Sequence, residues 1–338
     1  MKNKLNISLL ALALSTGMTG MAQAKTRLLV NCFWPSSHFA CTEVLPHWLD
    51  EVKRVTDGRV TGNIPPTSVA PPAEQLASVE KGVVDVSVQF NGLIANRVQG
   101  PLVAMQPFIG TKDAAQMSRA LWATNQKFFP DELKTVHLLS QFVISPGELY
   151  SQTDKPINSM EDLSSRKMWA LPGPLAEILK KQGSGVVSTP AVGANEIISR
   201  GVVDGFIGLD PQAVQSFQLM PYTKSVTHFD SAVYATSFSV MVNSDTWAKI
   251  SPEDQAAIMG VSGDILGAAF GERWNEAAAT AEAAYAGAGI AVVPADPAFE
   301  TALTEASAFV TQGWLATAKA EGIDSAAALE FYKSQLTK

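Results

Sequence analysis

Residues 80–88 read EKGVVDVSV, and residues 199–207 read SRGVVDGFI. In both, a helical run ends at a glycine and passes through Val-Val-Asp into an apolar strand. Glycine takes the left-handed position just past a helix without steric cost, so one such junction is ordinary. Two of them, in matching positions of two helix–strand units, predict equivalent elements in two lobes. The rest of the chain is read outward from this pair.

Before the first junction, TRLLVNCFW (26–34) is a leucine-rich, β-branched run stopped by Pro35, which predicts a strand. In CTEVLPHWLDEVKRVTDG (41–58), Val44, Leu45, Trp48, Leu49 and Val52 fall at helical spacing, and Gly58 stands as the C-cap. RVTGNI (59–64) predicts a strand broken by Pro65 and Pro66, APPAEQLASVEKG (70–82) a short helix, and VVDVSVQF (83–90) a buried strand. After VHLLSQFVI the pattern restarts. KMWAL (167–171) and GVVST (185–189) enclose the helix PLAEILKKQG, and VGANEIISRG leads into the strand VVDGFIG (202–208). The alternation predicts α/β sheets flanked by helices. AVYATSFSVMVNSDTWAKI (232–250) returns to strand-like alternation, so the chain is expected to cross back to the first lobe. The remainder reads as alanine-rich helix, with Ser251 as N-cap and Pro252 at N1.

The chain has 338 residues, 46% hydrophobic and 17% charged, enough for two lobes with sizeable cores. Lys2 and Lys4, the apolar run LLALALSTGM and the small-residue site AQA before Lys25 predict an export signal over 1–24. That run is shorter than the roughly 20 residues a membrane span needs. The formal charge is −7, of which the two leader lysines contribute +2, leaving about −9 from Lys25 onward. No basic stripe is present, so nucleic acid and anionic membrane are not expected partners.

Cys32 and Cys41 are the only cysteines. In an oxidising compartment they predict a local disulfide, with free thiols as an alternative. The series Cys32, His38, Cys41, His47 leaves a zinc site as a further alternative, although its spacing is wider than usual. No Gly-x-Ser-x-Gly elbow, phosphate loop, His-Glu-x-x-His or dinucleotide fingerprint occurs. His38, His47, His137 and His228 read as packed or surface residues rather than bases. An exported two-lobed protein without a catalytic set or cofactor motif points to ligand capture in the cleft between lobes.

At this point the chain resembles a known family. VKRVTDGRV (52–60), PPAEQLASVEKGVVDVSV (71–88), KPINSMEDLSSRKMW (155–169), TPAVGANEIISRGVVDGFIG (189–208) and NSDTWAKISPEDQAAI (243–258) occur in order. Together they resemble the DctP-like solute-binding proteins of tripartite ATP-independent periplasmic (TRAP) transporters. The resemblance implies a two-lobed periplasmic binding protein fold with crossing strands and long C-terminal helices. It assigns 25–146 and 232–272 to lobe 1, 147–231 to lobe 2, and 273–338 to helices packing across the lobes. It implies a monomer that binds a small organic solute without a cofactor, docks on TRAP permease subunits and is not an enzyme. A periplasmic sensor or a metal-handling protein is the competing class.

In most of this family, a motif like Asp-Leu-x-Gly-x-Lys-Ile-Arg ends in an arginine that clamps the ligand's carboxylate. Here the stretch is DLSSRKMW, and Trp169 stands at the arginine's place. A second arginine is common where this chain has Glu148 or Leu149, and the family's VDGxEN departs here to VDGFIGLDP, with Phe206 and Asp210. The expected ligand set is Trp34, Phe90, Asn91, Glu148, Trp169, Phe206 and Asp210. Aromatic faces with nearby carboxylates attract onium cations, so the expected ligand is a quaternary-ammonium or sulfonium osmolyte. The alternatives are a neutral or aromatic solute, or a carboxylate held by Arg97, Arg200 or backbone N–H groups.

Overall fold

The computed structural model describes residues 25–337, and the leader expected over residues 1–24 lies outside them. The strands are β1 (Thr26–Asn31), β2 (Val60–Asn63), β3 (Val86–Phe90), β4 (Val136–Val143), β5 (Glu148–Ser151), β6 (Lys167–Ala170), β7 (Gly185–Ser188), β8 (Gly205–Leu209), β9 (Ser225–His228), β10 (Ser237–Asn243) and β11 (Ala291–Pro294). They form a five-stranded sheet, β2-β1-β3-β10-β4, and a six-stranded sheet, β11-β9-β5-β8-β6-β7. Each sheet is parallel except for one reversed strand. β10 runs antiparallel to β3 and β4, and β5 antiparallel to β8 and β9. In both cases the reversed strand is the one the chain enters just after crossing from the other lobe.

The crossings run side by side. Ile144 N donates to Thr236 O at 3.1 Å and Gly147 N to Tyr234 O at 2.8 Å. Gly147 has no substitute, since a Cβ there would lie 2.3 Å from the backbone of Gly208.

The two Val-Val-Asp junctions are equivalent down to their hydrogen bonds. The helices Gln75–Glu80 and Ala194–Ser199 both end at a left-handed glycine, Gly82 (φ 65°) and Gly201 (φ 63°). Asp85 N donates to Leu29 O at 2.9 Å, and Leu29 N returns a bond to Asp85 Oδ2 at 2.8 Å. In the other lobe, Asp204 N donates to Lys167 O at 2.7 Å, and Lys167 N returns one to Asp204 Oδ2 at 2.9 Å. Each aspartate thus starts a parallel strand by gripping its neighbour, β1 or β6. For this reason β3 and β8 begin at Val86 and Gly205 rather than at the valines, and Val83 and Val202 are exposed.

The helix Leu45–Val55 buries Leu45, Trp48, Leu49 and Val52, the stripe its spacing predicts. The alanine-rich C-terminal part departs from expectation in three places. It breaks between the helices Pro252–Met259 and Gly263–Ala283, where Gly263 takes a positive φ of 56°. The boundary expected after residue 272 falls inside the helix Gly263–Ala283, which packs on β4 and on the helices Ala114–Phe128 and Pro211–Ser216, touching both lobes. The chain also returns to sheet as β11, an exposed edge strand whose Val292 and Val293 pair in parallel with β9. Two valines between alanine-rich helices are too short a run to show a period of two. The helix Pro297–Ala320 then spans the lobes, with Trp314 Nε1 donating to Gln99 O at 2.8 Å.

Candidate functional site

Between the lobes lies a cavity of about 740 Å³, mouth included. Lobe 1 supplies Phe33 and Trp34, which follow β1 after Cys32, and Phe90 at the end of β3. Phe238 of β10 also lines it and is the cross-strand partner of Phe90, with ring centroids 5.4 Å apart. Phe33 stacks on Trp34 at 4.0 Å, and Trp34 lies 5.4 Å from Phe238 and 5.6 Å from Trp274 of the lobe-spanning helix Gly263–Ala283. Lobe 2 supplies Leu171, Leu209, Asp210 and Phe217, and the crossing segments bring Ile144 and Thr236.

The platform of Phe33 and Trp34 is anchored from behind. Cys32 and Cys41 are bonded, with Cα atoms 5.7 Å apart, so their sulfurs are not offered to a metal. Among the described residues no group of His, Cys, Asp and Glu side chains could hold a metal ion. His38 packs against Trp34 at 5.4 Å, and its Nδ1 accepts from Ala40 N at 3.1 Å. Burial lowers the ring to about 4, so it is neutral near pH 7.

Asp210 caps the helix Pro211–Ser216, its Oδ1 accepting from Ala213 N at 2.6 Å. It is 1% exposed. Burial pushes its carboxyl up to about 7, against the downward pull of the Ala213 N–H and of the nearby Trp274 indole, which lies close to the carboxyl but outside hydrogen-bonding geometry. Three buried polar atoms on this cavity, Asp210 Oδ2, Thr236 Oγ1 and Trp274 Nε1, have no hydrogen-bond partner among the described residues. Among the described residues that line it there is no lysine or arginine. The chamber is therefore apolar and aromatic, with a few unsatisfied polar groups. Buried polar atoms are normally paired, so such a concentration marks where a ligand's polar end belongs.

Of the seven residues expected to bind ligand, Trp34, Phe90 and Asp210 line this cavity. The other four do not line it and are held by the protein itself. Trp169 is fully buried in β6, flanked by β7 and β8, and its Nε1 donates to Thr189 Oγ1 at 2.8 Å. Leu171 and Pro172, further along the chain, form the wall instead. Phe206 stacks on Tyr150 at 4.6 Å in the lobe 2 core. Asn91 Nδ2 donates to Ser237 Oγ at 3.1 Å and Asn91 Oδ1 accepts from Ser239 Oγ at 2.8 Å, fastening β10. Glu148 Oε1 meets His228 Nδ1 at 2.9 Å and Lys112 Nζ at 3.6 Å, and this carboxylate holds His228 above its ordinary value.

The alternative carboxylate clamps are also engaged elsewhere, Arg97 with Glu80 at 2.7 Å and Arg200 with Glu196 at 3.1 Å. Sequence reasoning did not find Phe33, His38, Thr236, Phe238 or Trp274. Trp274 had a signal, being the only tryptophan in a helix rich in alanine and glycine.

Two lobes, paired crossing segments and a buried interlobe chamber define a solute-binding protein of the kind that closes over its ligand. The chain belongs to the bacterial extracellular solute-binding protein family 7, the DctP family of TRAP solute-binding proteins, whose model matches residues 30–317. It is 33% identical over 327 residues, 96% of each chain, to the "Outer membrane transporter protein TsaT" of Comamonas testosteroni. It is 31% identical to a TRAP periplasmic solute-binding protein from Bordetella bronchiseptica solved with bound (R)- and (S)-mandelate, with a TM-score of 0.86 over 92% of this chain and 99% of that one. A TRAP solute-binding protein from Rhodoferax ferrireducens T118, solved with copurified benzoate, shares the fold at 23% identity, with a TM-score of 0.82 over 93% of this chain and 98% of that one.

Proposed function

We propose that this protein is exported to the periplasm, where as a monomer it captures a small aromatic carboxylic acid in the interlobe cavity and presents it to TRAP permease subunits. The observation that carries the reading is one chamber combining ring-lined walls with three unpartnered buried polar atoms, on Asp210, Thr236 and Trp274. A phenyl ring moved from water into such walls gains about 3 kcal/mol from apolar burial alone. The polar atoms supply direction. An acid group at that end satisfies donors that otherwise stay buried and unpaired.

The mandelate bound in the Bordetella bronchiseptica relative supports an aromatic acid. The cationic osmolyte expected from sequence is the weaker reading. Trp169, its intended aromatic face, is fully buried and bonded to Thr189. Asp210, its intended counter-charge, is half neutral near pH 7.

The test is a calorimetric and melting-temperature screen of benzoate, mandelate, glycine betaine and aliphatic dicarboxylates. A ligand that binds only the folded state raises its melting temperature by mass action. Aromatic acids are expected to shift it and betaine is not. Binding of betaine alone would overturn the assignment.

A further inference from the structure

Among its described lining residues the cavity holds an acid, the neutral ring of His38 and no cation. A carboxylate ligand seated at the unpartnered atoms meets a second carboxyl group, Asp210, and no lysine or arginine among the described lining residues. Two negative charges a few ångström apart in a dry, apolar chamber repel strongly. One proton between them turns that repulsion into a short, charge-assisted hydrogen bond. Given the aromatic-acid reading, on which this inference rests, we propose that Asp210 selects the ligand's acid group as a proton donor, so that each aromatic carboxylate is captured together with one proton. The proton enters from solvent while the lobes are open, resides on Asp210 Oδ2 and is donated to a ligand carboxylate oxygen. The Thr236 hydroxyl and the Trp274 indole N–H supply the remaining donors. No covalent bond forms or breaks, and the proton returns to solvent when the ligand leaves.

The groups around Asp210 leave it in this role. From β5, Glu148 and Tyr150 face it, and the Glu148 charge opposes a second negative charge at Asp210. Glu148 is itself matched by His228 and Lys112, with Glu282 beside them. Tyr150 and Tyr285, whose hydroxyls lie 3.2 Å apart, are held by burial above their ordinary range and stay neutral. From the segment after β1, His38 is neutral for the same reason, and beyond it Arg273 is tied to Glu43 at 2.7 Å. Among the described residues no cation is left to compensate an ionised Asp210, whose carboxyl stands near 7.

The experiment is isothermal titration of benzoate and (R)-mandelate into the full protein, in paired buffers of different ionisation enthalpy, from pH 6 to 8. With Asp210 near 7 in the free protein, uptake of about 0.1 proton per ligand is expected at pH 6 and about 0.9 at pH 8. The dissociation constant rises about tenfold across the same interval. Asp210→Asn, whose amide donates without titrating, is expected to abolish the uptake and flatten the profile. Wild-type binding without proton uptake at pH 8, or a wild-type pH slope in Asp210→Asn, overturns the proposal while leaving the aromatic-acid reading intact. Failure of both acids to bind at any pH overturns both. If Asp210→Asn does not fold, the wild-type proton count decides alone.

Discussion

Replacing Trp274 by phenylalanine separates a ligand's need for this side chain from the fold's. Trp274 is 1% exposed, its ring lying 4.7 Å from Phe39, 5.6 Å from Trp34 and 5.8 Å from Phe142. Its Nε1 has no hydrogen-bond partner among the described residues. In the empty protein that unpaired N–H costs about 1–3 kcal/mol, which the substitution removes. A phenyl ring in the place of an indole leaves unfilled volume costing about 1–2 kcal/mol. The two nearly cancel, so the unliganded melting temperature is expected to move by no more than about 4 °C. Binding has no such compensation. A hydrogen bond to a carboxylate contributes about 1.5–3 kcal/mol, so affinity for benzoate is expected to fall about 10- to 150-fold. Scanning calorimetry without ligand and isothermal titration with it read the two quantities separately. Unchanged affinity in a folded variant would refute the reasoning. So would a stability loss above about 3 kcal/mol, which would give the indole N–H a structural role.

Three further outcomes are expected. Cys32→Ser with Cys41→Ser reopens a short loop and costs about 2–3 kcal/mol, and benzoate binding weakens with it because Phe33 and Trp34 lose their anchor. Trp169→Arg restores the residue the family resemblance expects, yet places a charge at a fully buried position. It lowers stability by more than about 3 kcal/mol and does not tighten benzoate binding, as melting and titration will read. On pH, His38 has a folded value near 4, below its free value of 6.5, so its contribution is whole above 6.5 and is lost as pH falls toward 4, by up to about 3 kcal/mol. Asp210 has a folded value near 7, above its free 3.8, so its contribution is whole below 3.8 and is lost as pH rises toward 7. The two offset each other between pH 4 and 6.5. The stability of Asp210→Asn is therefore expected to rise across that window and that of His38→Gln to fall, in denaturant titrations at fixed pH.

The fold was legible because its signals are local and repeated. The helix stripe of Leu45, Trp48, Leu49 and Val52, the two glycine-ended helices and the return to strand at Ser237–Asn243 each follow from a few neighbouring residues. β11 was not legible, because an exposed edge strand needs little hydrophobic patterning and its pairing with β9 joins residues far apart in sequence. The site was legible where a cavity residue sits at a strand end, as Phe90 and Asp210 do. It was illegible at Trp169, since a resemblance fixes the backbone position but not where a different side chain packs. A tryptophan in an arginine's place found a core partner in Thr189 rather than a ligand. Trp274 and Thr236 escaped notice because they reach the cavity from the lobe-spanning helix and a crossing segment, whose approach to the cleft is set only by tertiary packing.

The three unpartnered polar atoms bear on delivery as well as capture. Asp210 Oδ2, Thr236 Oγ1 and Trp274 Nε1 come from lobe 2, a crossing segment and the lobe-spanning helix, and all are cut off from water when the lobes meet. Shutting an empty chamber strips water from them without replacing it, at about 1–3 kcal/mol each. A ligand that pairs these atoms removes that penalty, so the shut form is favoured more with ligand than without it. A permease that recognises only the shut shape would then meet loaded couriers in preference to vacant ones, and small-angle scattering should find the protein more compact with benzoate than without it.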